Sequence, residues 1–552
     1  MLRELDHGQQ RVGVRNVTLD TAKLEPGSYR IRWTLRGECR EFPFESASNA
    51  RSNLAATSLI GRRRCRGRFA TMAPPRHPME MQLMNASWQR PSPNVNISGV
   101  LPHTNVKAAH QPRRTETGIG ALMPWADRLW FVTYVAHKQG SGDGTGLFHL
   151  DDAMTLTKHP ASVVGTYANR LIHAESHQLI IGPHAIDIDG NVRTFNDLVN
   201  TRLTATCRHL HEPDRLVYFL GMEGELFEAD VNTLKVTQLA DLTKELGTSG
   251  QKDAHFKDAF CAQGRLIVAN NSYYAKDFDD PSKCDGRLAE YDGKSWTILE
   301  RTQFNTVEGR VAGELGPAIF AVGQDRASAL FKVRHADTGW VTYRLPKATH
   351  TQDHAWTTEW PRIREVESER YLLNASGMFY ELPAMTYGER VWGLRPISTH
   401  LRIIGDFAPW NGLLVMAGDQ TTPIFDSNPV VGQPQANLWF GKTDDLWQWG
   451  KPTGWGGPWF RTNVEANAPS DPYLMTGFEH KCLHVTHDAG EGVNIDVELD
   501  FMGDGTFLPY ATLTTRGGTG YAHHVFPTGL SAHWVRLRAS KAGEATAQLH
   551  YT

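Results

Sequence analysis

A strand–turn–strand pattern that recurs about every 48 residues constrains the fold of this chain more than any other feature of its sequence. In each unit, a short apolar strand follows a tight turn, and a second strand with an Asp near its end comes next. The apolar strands include RLWFV, RLVYF, RLIVA and GLLVM, which follow the turns Ala-Asp, Glu-Pro-Asp, Gln-Gly and Asn-Gly. Asp-Gly at 189–190, 285–286 and 292–293 supplies the positive φ angles that hairpin turns require. The pattern therefore predicts a series of antiparallel hairpins.

Seven of these units fit between residues 117 and 459, which predicts the four-stranded blades of a seven-bladed β-propeller. From residue 460 onward the strands are longer and alternate strictly. Val493, Ile495, Val497 and Leu499 are separated by polar residues, as in an antiparallel sheet with one buried face. We therefore expect an all-β protein, in which a C-terminal β-sandwich-like accessory sheet at 460–552 follows the propeller.

The first 116 residues lack this pattern. Residues 1–71 contain a Ser/Ala/Asn-rich patch and the arginine-rich run Gly61–Ala70, which is typical of a solvated linker or of an anion-binding patch. Met72 begins a new segment, and residues 72–116 form a lead-in to the first unit. We expect residues 1–71 to be an extension that the fold does not need.

Charge and cysteine content exclude several functions. The formal net charge of −3 argues against a nucleic-acid binder that depends on bulk positive charge. No apolar run reaches the roughly 18 residues of a membrane span, and MLRELDHGQQRVGV lacks the apolar segment of a secretory signal. The six cysteines show no CxxC spacing, so no zinc ribbon is indicated, while Cys261 and Cys284 could form one disulfide. We expect a monomer with no nucleic-acid or membrane partner.

Titratable side chains concentrate between Tyr167 and Asp230. Imidazoles, guanidiniums and a phenol in one region are the groups that a proton-transfer site for an anionic substrate needs. The residues concerned are His173, His177, His184, His209, His211, Arg170, Arg208, Glu175, Glu223 and Tyr218. Each histidine alone is explained more simply as a core residue, whereas the whole group favours a functional site.

Polar residues on the innermost strands of a propeller are the better candidates for ligand contact, because those strands surround a central funnel. The residues that fit this placing in three successive units are Arg170, His173, Arg208, His209, His255 and Lys257. Asn270 and Asn271, at the end of RLIVANN, are further options. Their side chains suit an anionic or hydroxyl-rich ligand.

Three apparent motifs carry no further function. The segment Gly140–Gly146 lacks the Lys-Ser/Thr of a phosphate-binding loop, and HAESH on a strand does not form a metal-binding pair. The carboxylates of Asp277–Gly286 lack the spacing of an EF-hand. We expect that no cofactor is required, with a structural calcium ion left open.

The runs NRLIHAESHQLIIGPHAIDIDGNVR, TATCRHL, GMEGELFEADVNTL and QGRLIVANN resemble the seven-bladed propeller lyases that cleave rhamnose–glucuronate linkages of gum arabic and arabinogalactan, and the related propeller α-L-rhamnosidases. The resemblance covers roughly residues 115–550 and implies a secreted or periplasmic enzyme acting on a uronate-containing glycan. It implies that His173 and Tyr218 share acid and base roles, while Arg208 and His209 neutralise the uronate carboxylate. Substrate-binding roles would extend to Arg170, His184, His255, Lys257 and Asn270.

The reaction that this resemblance implies is β-elimination. A base removes the C5 proton of the uronate, which is acidic enough only when the adjacent carboxylate is neutralised, and an acid protonates the departing C4 oxygen. A glycoside hydrolase would instead be expected to use a matched carboxylate pair, and nothing in the sequence pairs Glu175 with Glu223. An α-L-rhamnosidase and a non-catalytic glycan-binding propeller remain the alternatives.

Overall fold

The computed structural model describes residues 27–35, 38–46, 99–100, 104, 106–107, 117–135, 145–248, 250, 254–272, 285–309, 318–349, 360–383, 390–420 and 435–552. The chain separates into two units, Met1–Trp88 and Gln89–Thr552. In the first unit, β1 (Gly27–Leu35) and β2 (Glu38–Ser46) form an antiparallel hairpin. The arginine-rich run at 61–70 lies outside the described residues, so the prediction that residues 1–71 are dispensable stays a prediction.

The second unit contains seven antiparallel sheets that follow one another along the described part of the chain. Sheet 7 also includes two short strands from the lead-in segment, β3 (Gly99–Val100) and β4 (Val106–Lys107). Sheet 1 comprises β5 (Thr117–Trp125), β6 (Arg128–Val135), β7 (Leu147–Leu150) and β8 (Leu156–Lys158). Sheet 2 comprises β9 (Arg170–His173), β10 (Gln178–Ile181), β11 (His184–Ile186) and β12 (Val192–Thr194). Sheet 3 comprises β13 (Leu203–Arg208), β14 (Leu216–Gly221), β15 (Glu225–Asp230) and β16 (Val236–Asp241).

The remaining sheets repeat the same meander. Sheet 4 comprises β17 (Phe256–Ala262), β18 (Arg265–Asn270), β19 (Arg287–Tyr291) and β20 (Trp296–Glu300). Sheet 5 comprises β21 (Gln303–Gly309), β22 (Ala318–Gln324), β23 (Ala329–His335) and β24 (Gly339–Leu345). Sheet 6 comprises β25 (Arg362–Glu367), β26 (Arg370–Ala375), β27 (Met378–Pro383) and β28 (Arg395–Thr399). Sheet 7 comprises β29 (Ile404–Trp410), β30 (Leu413–Gln420) and β31 (Gln435–Gly441), with β3 and β4 paired to β31.

Tight turns with positive φ angles, as the turn residues of the sequence predict, join the first two strands of several sheets. Ala126 and Asp127 have φ angles of 48° and 57°, and Asn411 and Gly412 have φ angles of 49° and 75°. Two successive positive φ angles match the right-handed twist of the strands that a two-residue turn connects. The prediction is wrong at 285–286: Gly286 has no positive φ, and a Cβ there would lie 2.5 Å from the backbone of Thr302, so close packing explains this glycine.

The first strands of the seven sheets contact one another in chain order. β5 contacts β9, β9 contacts β13, and the series continues through β17, β21 and β25 to β29, which contacts β5. The approach between β29 and β5 is close, because a Cβ on Gly405 would lie 2.3 Å from the backbone oxygen of Ile119. These strands therefore bring together residues that are far apart in the sequence.

The C-terminal segment forms two further groups of strands. One sheet has the order β32 (Gly454–Val464), β39 (Gly543–Tyr551), β34 (Lys481–His487) and β37 (Tyr521–Val525). The other group continues sheet 5 beyond β24 with β33 (Tyr473–Leu474), β38 (Trp534–Ala539), β35 (Asn494–Asp500) and β36 (Leu508–Thr514). Because β32 begins at Gly454, the first C-terminal strand starts six residues before the boundary expected at 460.

One hydrophobic cluster contains buried side chains from both C-terminal groups and from sheets 5 and 6. Val493, Ile495, Val497 and Leu499 are all buried in it, as their alternation predicts. The described helices are short: α1 (Leu242–Glu245) and the 3-10 segments Asn196–Leu198 and Thr443–Gln448. The prediction of an all-β protein is confirmed. Within the described ranges, no helix has the length and apolar character that crossing a membrane requires.

Candidate functional site

Charged side chains from the first strands of different sheets meet around Asp406, which is fully buried on β29. Its carboxylate lies 2.7 Å from Nε of Arg170 and accepts a hydrogen bond of 2.8 Å from Nε of Arg364. The backbone N–H of Leu122 also donates to it, at 3.0 Å. Arg364 extends this network to a second carboxyl group, because its Nη1 donates to Glu308 at 2.9 Å. Four sheets thus contribute a side chain to one ionic network.

Asp258 on β17 extends this network towards sheet 5. Its Oδ2 accepts hydrogen bonds from Thr306 Oγ1 at 2.7 Å and from the backbone N–H of Val307 at 3.1 Å. The strand carries a β-bulge between Phe256 and Asp258, where the extra residue is Lys257. Bulges turn side chains out of the regular alternation and are common beside functional sites. We call Arg170, Asp258, Glu308, Arg364 and Asp406 the axial cluster.

The surroundings shift the pKa values of Asp406 and Glu308 in opposite directions. Burial opposes ionisation of Asp406, but the guanidiniums of Arg170, Arg364 and Arg362 hold its pKa below the usual value. Burial raises the pKa of Glu308, and Arg364 only partly offsets this. Burial lowers the pKa of Arg170 to about 10 despite the contact with Asp406. Asp406 therefore ionises more readily than Glu308.

Two further cations lie against the indole of Trp360, just before β25. Lys257 Nζ is 4.0 Å from the centre of the Trp360 ring, and Arg362 Cζ is 5.1 Å from it. The ring of Tyr134 lies 5.3 Å from the same indole. All four side chains are at least 97 % buried. We call Tyr134, Lys257, Trp360 and Arg362 the cationic mouth.

Two donors of the cationic mouth have no acceptor within the part of the chain that the structure describes. Arg362 donates from Nε to the backbone oxygen of Gly405 at 3.1 Å and from Nη1 to that of Pro361 at 3.3 Å. Its Nη2 has no described partner, and neither does Nε1 of Trp360; beside them, Nδ2 of Asn270 and Oδ1 of Asn271 are unsatisfied too. Buried polar groups are normally hydrogen-bonded, so the two free donors at Trp360 indicate a place for a ligand oxygen.

Cations and carboxyl groups are mixed in this part of the structure. Arg170, Arg362 and Arg364 lie among the carboxyl groups of Asp258, Glu308 and Asp406. The unsatisfied donors of Arg362 and Trp360, rather than a net charge, would be the groups that hold an anionic ligand.

The histidine predicted as a catalytic residue, His173, is fully buried at the last position of β9. Its Nδ1 lies 2.7 Å from Ser176 Oγ and its Nε2 lies 2.7 Å from the backbone oxygen of Pro213. Both ring nitrogens are therefore engaged locally. The catalytic role stays a prediction, but this geometry favours a structural one.

The structure brings the other predicted proton-transfer residues together. The rings of His209 and Tyr218 are 4.4 Å apart, and His209 Nε2 lies 3.0 Å from Glu228. Burial raises the pKa of Tyr218 beyond its ordinary range. His209 Nδ1 accepts backbone hydrogen bonds from His211 and Glu212. His209 and Tyr218 thus form a contact, and their catalytic role stays a prediction.

The predicted substrate-binding residues divide between two ends of the innermost strands. Arg170 begins β9 and Lys257 is near the start of β17, so both belong to the site described above. Arg208 ends β13 and forms an ion pair with Glu175. His177 lies in the turn after β9 with a φ of 53°.

Three more predicted residues lie at the edge of the site or outside it. Asn270 ends β18 opposite Phe256, and its Oδ1 accepts from Ser272 N at 2.6 Å. The backbone N–H of His255 donates to Ser272 Oγ at 2.8 Å. His184 is on β11, the third strand of its sheet, with Nδ1 3.0 Å from Thr194 Oγ1, so it packs away from the innermost strand.

Glu175 and Glu223 do not form the carboxylate pair of a hydrolase. Glu175 pairs with Arg208 at the end of β13, whereas Glu223 pairs with Arg202, just before the start of that strand. Six residues of strand span about 17 Å, well beyond the separation of two cooperating carboxylates. A hydrolase built on these two residues has no support in this geometry.

Sequence reasoning missed Asp406, Trp360, Arg362, Arg364 and Glu308. Their local signal was present, because Arg362 and Arg364 alternate in WPRIREV and Asp406 interrupts the apolar run RIIGDFAPW. Charges at alternate positions of an innermost strand share one face.

Metal and cysteine predictions can be compared in part. Among the described residues, no three His, Cys, Asp or Glu side chains are arranged to hold a metal ion. The acidic segment considered for calcium, 277–286, lies outside the described residues up to position 284. Cys261 is a buried free thiol, so the suggested disulfide with Cys284 is wrong for this structure.

Comparisons with known proteins find a fold likeness only. No family model matches the chain, and no curated protein matches it. Solved structures similar to it include the β-propeller domain of Myceliophteria thermophila Cps50 (Swd1), with 12% identity over 61% of this chain and 98% of that one and a TM-score of 0.34. The Dos1 propeller has 11% identity over 61% and 96%, with a TM-score of 0.35. A luciferin-regenerating enzyme has 10% identity over 61% and 96%, with a TM-score of 0.30. Likeness at this level assigns no function.

Proposed function

We propose that sheets 1–7 are the blades of a seven-bladed β-propeller and that the C-terminal strands form a β-sandwich-like accessory domain. The contacts of the first strands in chain order, and the contact of β29 with β5, support a closed ring. The pairing of β3 with β31 supports closure too, because a strand from before sheet 1 then completes the last sheet. An experimental structure with β29 and β5 apart would refute this proposal.

We further propose that the chain is a polysaccharide lyase that cleaves rhamnose–glucuronate linkages of plant-type glycans. The observation that carries this proposal is that buried donors of Arg362 and Trp360 have no acceptor among the described residues. These donors would hold the uronate carboxylate, with the ammonium of Lys257 beside them. The sequence resemblance supports the choice of reaction.

The chemistry follows from neutralising that carboxylate. When cations hold it, the C5–H bond becomes acidic enough for a base to remove the proton, and the electron pair forms the C4–C5 double bond. The C4–O bond breaks as the departing oxygen takes up a proton. We assign proton transfer at this site to Tyr134, whose ring lies 5.3 Å from that of Trp360.

Gum arabic is the substrate that tests this function. A lyase releases rhamnose-bearing fragments or rhamnose together with the ultraviolet absorbance of an unsaturated uronate. Rhamnose without that absorbance would make the protein an α-L-rhamnosidase. Binding to the gum without either product would make it a glycan-binding propeller, and both outcomes would refute the lyase proposal.

Two tyrosine variants locate the chemistry. Tyr134→Phe should lower kcat by about 10²–10⁴-fold, the usual contribution of general acid–base catalysis, while Tyr218→Phe should leave it within a few-fold of the wild type. Both tyrosines are buried, so the two substitutions each remove a hydroxyl from a similarly packed position. The reverse result would place catalysis at His209 and Tyr218, at the other end of the innermost strands.

Two lysine variants test the carboxylate site. Lys257→Met should raise KM and lower kcat, because the ammonium would bind the carboxylate in both the ground state and the transition state. Lys481→Met is the control, since Lys481 is equally buried but donates to Phe478 and Leu530 in the C-terminal domain. Equal activity losses in the two variants would mean that Lys257 acts through stability alone.

A further inference from the structure

The outward face of the C-terminal sheet carries a group of exposed rings. Residues 482, 484 and 486 of β34 alternate with buried neighbours and so share this face. Residues 521, 523 and 525 of β37 lie opposite them in the sheet and belong to the same face. His484 lies directly opposite His523, and His550 lies opposite Cys482. We call Tyr521, His523, His484 and His550 the ring platform.

Three rings of this platform are nearly parallel. Tyr521 and His523 have centroids 5.8 Å apart and planes 23° apart, and His484 lies 6.3 Å from Tyr521 and 6.4 Å from His523 at 26° and 25°. Nδ1 of His484 lies 3.0 Å from the hydroxyl of Tyr521, which holds the two rings in this orientation. The rings therefore form an extended, ordered surface.

The chemistry of this face suits a sugar chain better than a protein. Apart from Cys482 and Val525, its outward positions on β34 and β37 are polar or aromatic, and Thr546 of β39 adds a hydroxyl. Sugar C–H faces stack on rings, while hydroxyls take up hydrogen bonds from imidazoles and amides. A protein interface would be expected to present a larger apolar centre.

The titratable groups on this face favour an anionic sugar chain. They are Cys482 and His484 on β34, Tyr521 and His523 on β37, and Glu544 and His550 on β39. Burial, with His550 and His523, lowers the pKa of His484, so this imidazole gains its proton at a lower pH than usual. The face carries one carboxylate and three imidazoles, whose N–H groups can donate hydrogen bonds to the carboxylate of a ligand.

We propose that the ring platform is a second, non-catalytic binding site for an acidic polysaccharide, with uronate carboxylates placed against the imidazoles. The site is independent of the axial cluster and does not require that the protein be a lyase. On an enzyme of the proposed type, it would hold the polymer near the catalytic centre and raise its local concentration.

Affinity electrophoresis of the full chain through gels containing polygalacturonate tests this site. The double variant Tyr521→Ser/His523→Ser should weaken retention by about tenfold, as the loss of ring contacts predicts. Retention of the wild type should increase from pH 7.5 to pH 5.5, and neutral galactan should give none.

The control is Phe501→Ser/Leu508→Ser, which removes two side chains that are 49% and 48% exposed elsewhere in the C-terminal domain. This control should retain wild-type binding, and the platform variant should keep full activity on a short soluble substrate. Unchanged retention of the platform variant, equal loss in the control, or no retention of the wild type would each overturn the proposal. Loss of cleavage in Lys257→Met with retention intact would separate the two sites.

Discussion

Replacing Asp406 by Asn measures how far the innermost strands depend on their ionic network. The substitution keeps the size of the side chain and one acceptor oxygen but removes the charge that Arg170 and Arg364 share, at 2.7 and 2.8 Å. Both guanidiniums then remain buried beside an uncharged amide.

Breaking a buried ion pair by removing one partner costs about 3–5 kcal/mol, because it leaves an uncompensated buried charge. A hydrogen bond to the remaining amide oxygen would return about 1 kcal/mol. Arg364 also keeps Glu308 as a partner, which favours the lower end of the range. We therefore expect Asp406→Asn to lower the free energy of unfolding by about 3 kcal/mol.

Urea unfolding, followed by circular dichroism, measures this change. Asp444→Asn is the matched control, because Asp444 also pairs with an arginine, Arg370 at 3.0 Å, but is 76% exposed. An exposed pair of this kind contributes about 0–1 kcal/mol. Equal unfolding midpoints for the two variants would refute the claim that the central network is buried and continuous.

Three further predictions follow from the fold. Burial lowers the pKa of His184 from 6.5 to about 4. As the pH falls, the unfolded chain therefore takes up a proton at this histidine before the folded chain does. The stability that the neutral imidazole contributes is present above pH 6.5 and decreases by up to about 3 kcal/mol as the pH falls towards 4. His184→Gln should reduce this loss in urea titrations at pH 7.5 and 4.5, whereas His480→Gln, at an exposed position, should not. Removing residues 1–71 should leave the melting temperature unchanged. Removing residues 1–107 should lower the melting temperature, because β3 and β4 pair with β31. Equal melting temperatures of the two truncated proteins would contradict the proposed closure. Gly120→Ala should lower the free energy of unfolding by about 1–3 kcal/mol through overpacking, since its Cβ would lie 2.1 Å from the backbone oxygen of Tyr167. The control in the same urea assay is Gly250→Ala, because a Cβ at Gly250 has no atom within 4 Å.

Local features of the fold could be predicted from the sequence because they depend on neighbouring residues. The turn at Asn411 and Gly412 and the alternation of Val493, Ile495 and Val497 need only a few residues to specify them. The count and order of the sheets follow from repeating such units. Boundaries were less accurate, since β32 begins at Gly454 and the lead-in strand β3 pairs with residues more than 300 positions away.

The candidate site could not be predicted in the same way, because its members meet only through tertiary contacts. Leu122 and Arg170 are 284 and 236 residues from Asp406, and no local pattern connects them. The histidine-rich segment attracted the prediction through its density alone. Yet His173 uses its nitrogens for a partner three residues away and for a loop of the next sheet, which is ordinary core chemistry.

A network of buried charges is a poor source of net stability, and this bears on what the axial cluster is for. Well-packed apolar residues of similar volume often stabilise a protein as much as a buried ion network does. The first strands of the sheets nevertheless bring three guanidiniums, an ammonium and three carboxyl groups together. Donors of Arg362 and of Trp360, just before β25, have no acceptor among the described residues. A purely structural network would be expected to satisfy its own donors. Unsatisfied donors are what a site for a carboxylate requires before its ligand arrives, because preorganised donors need no rearrangement when the charge enters.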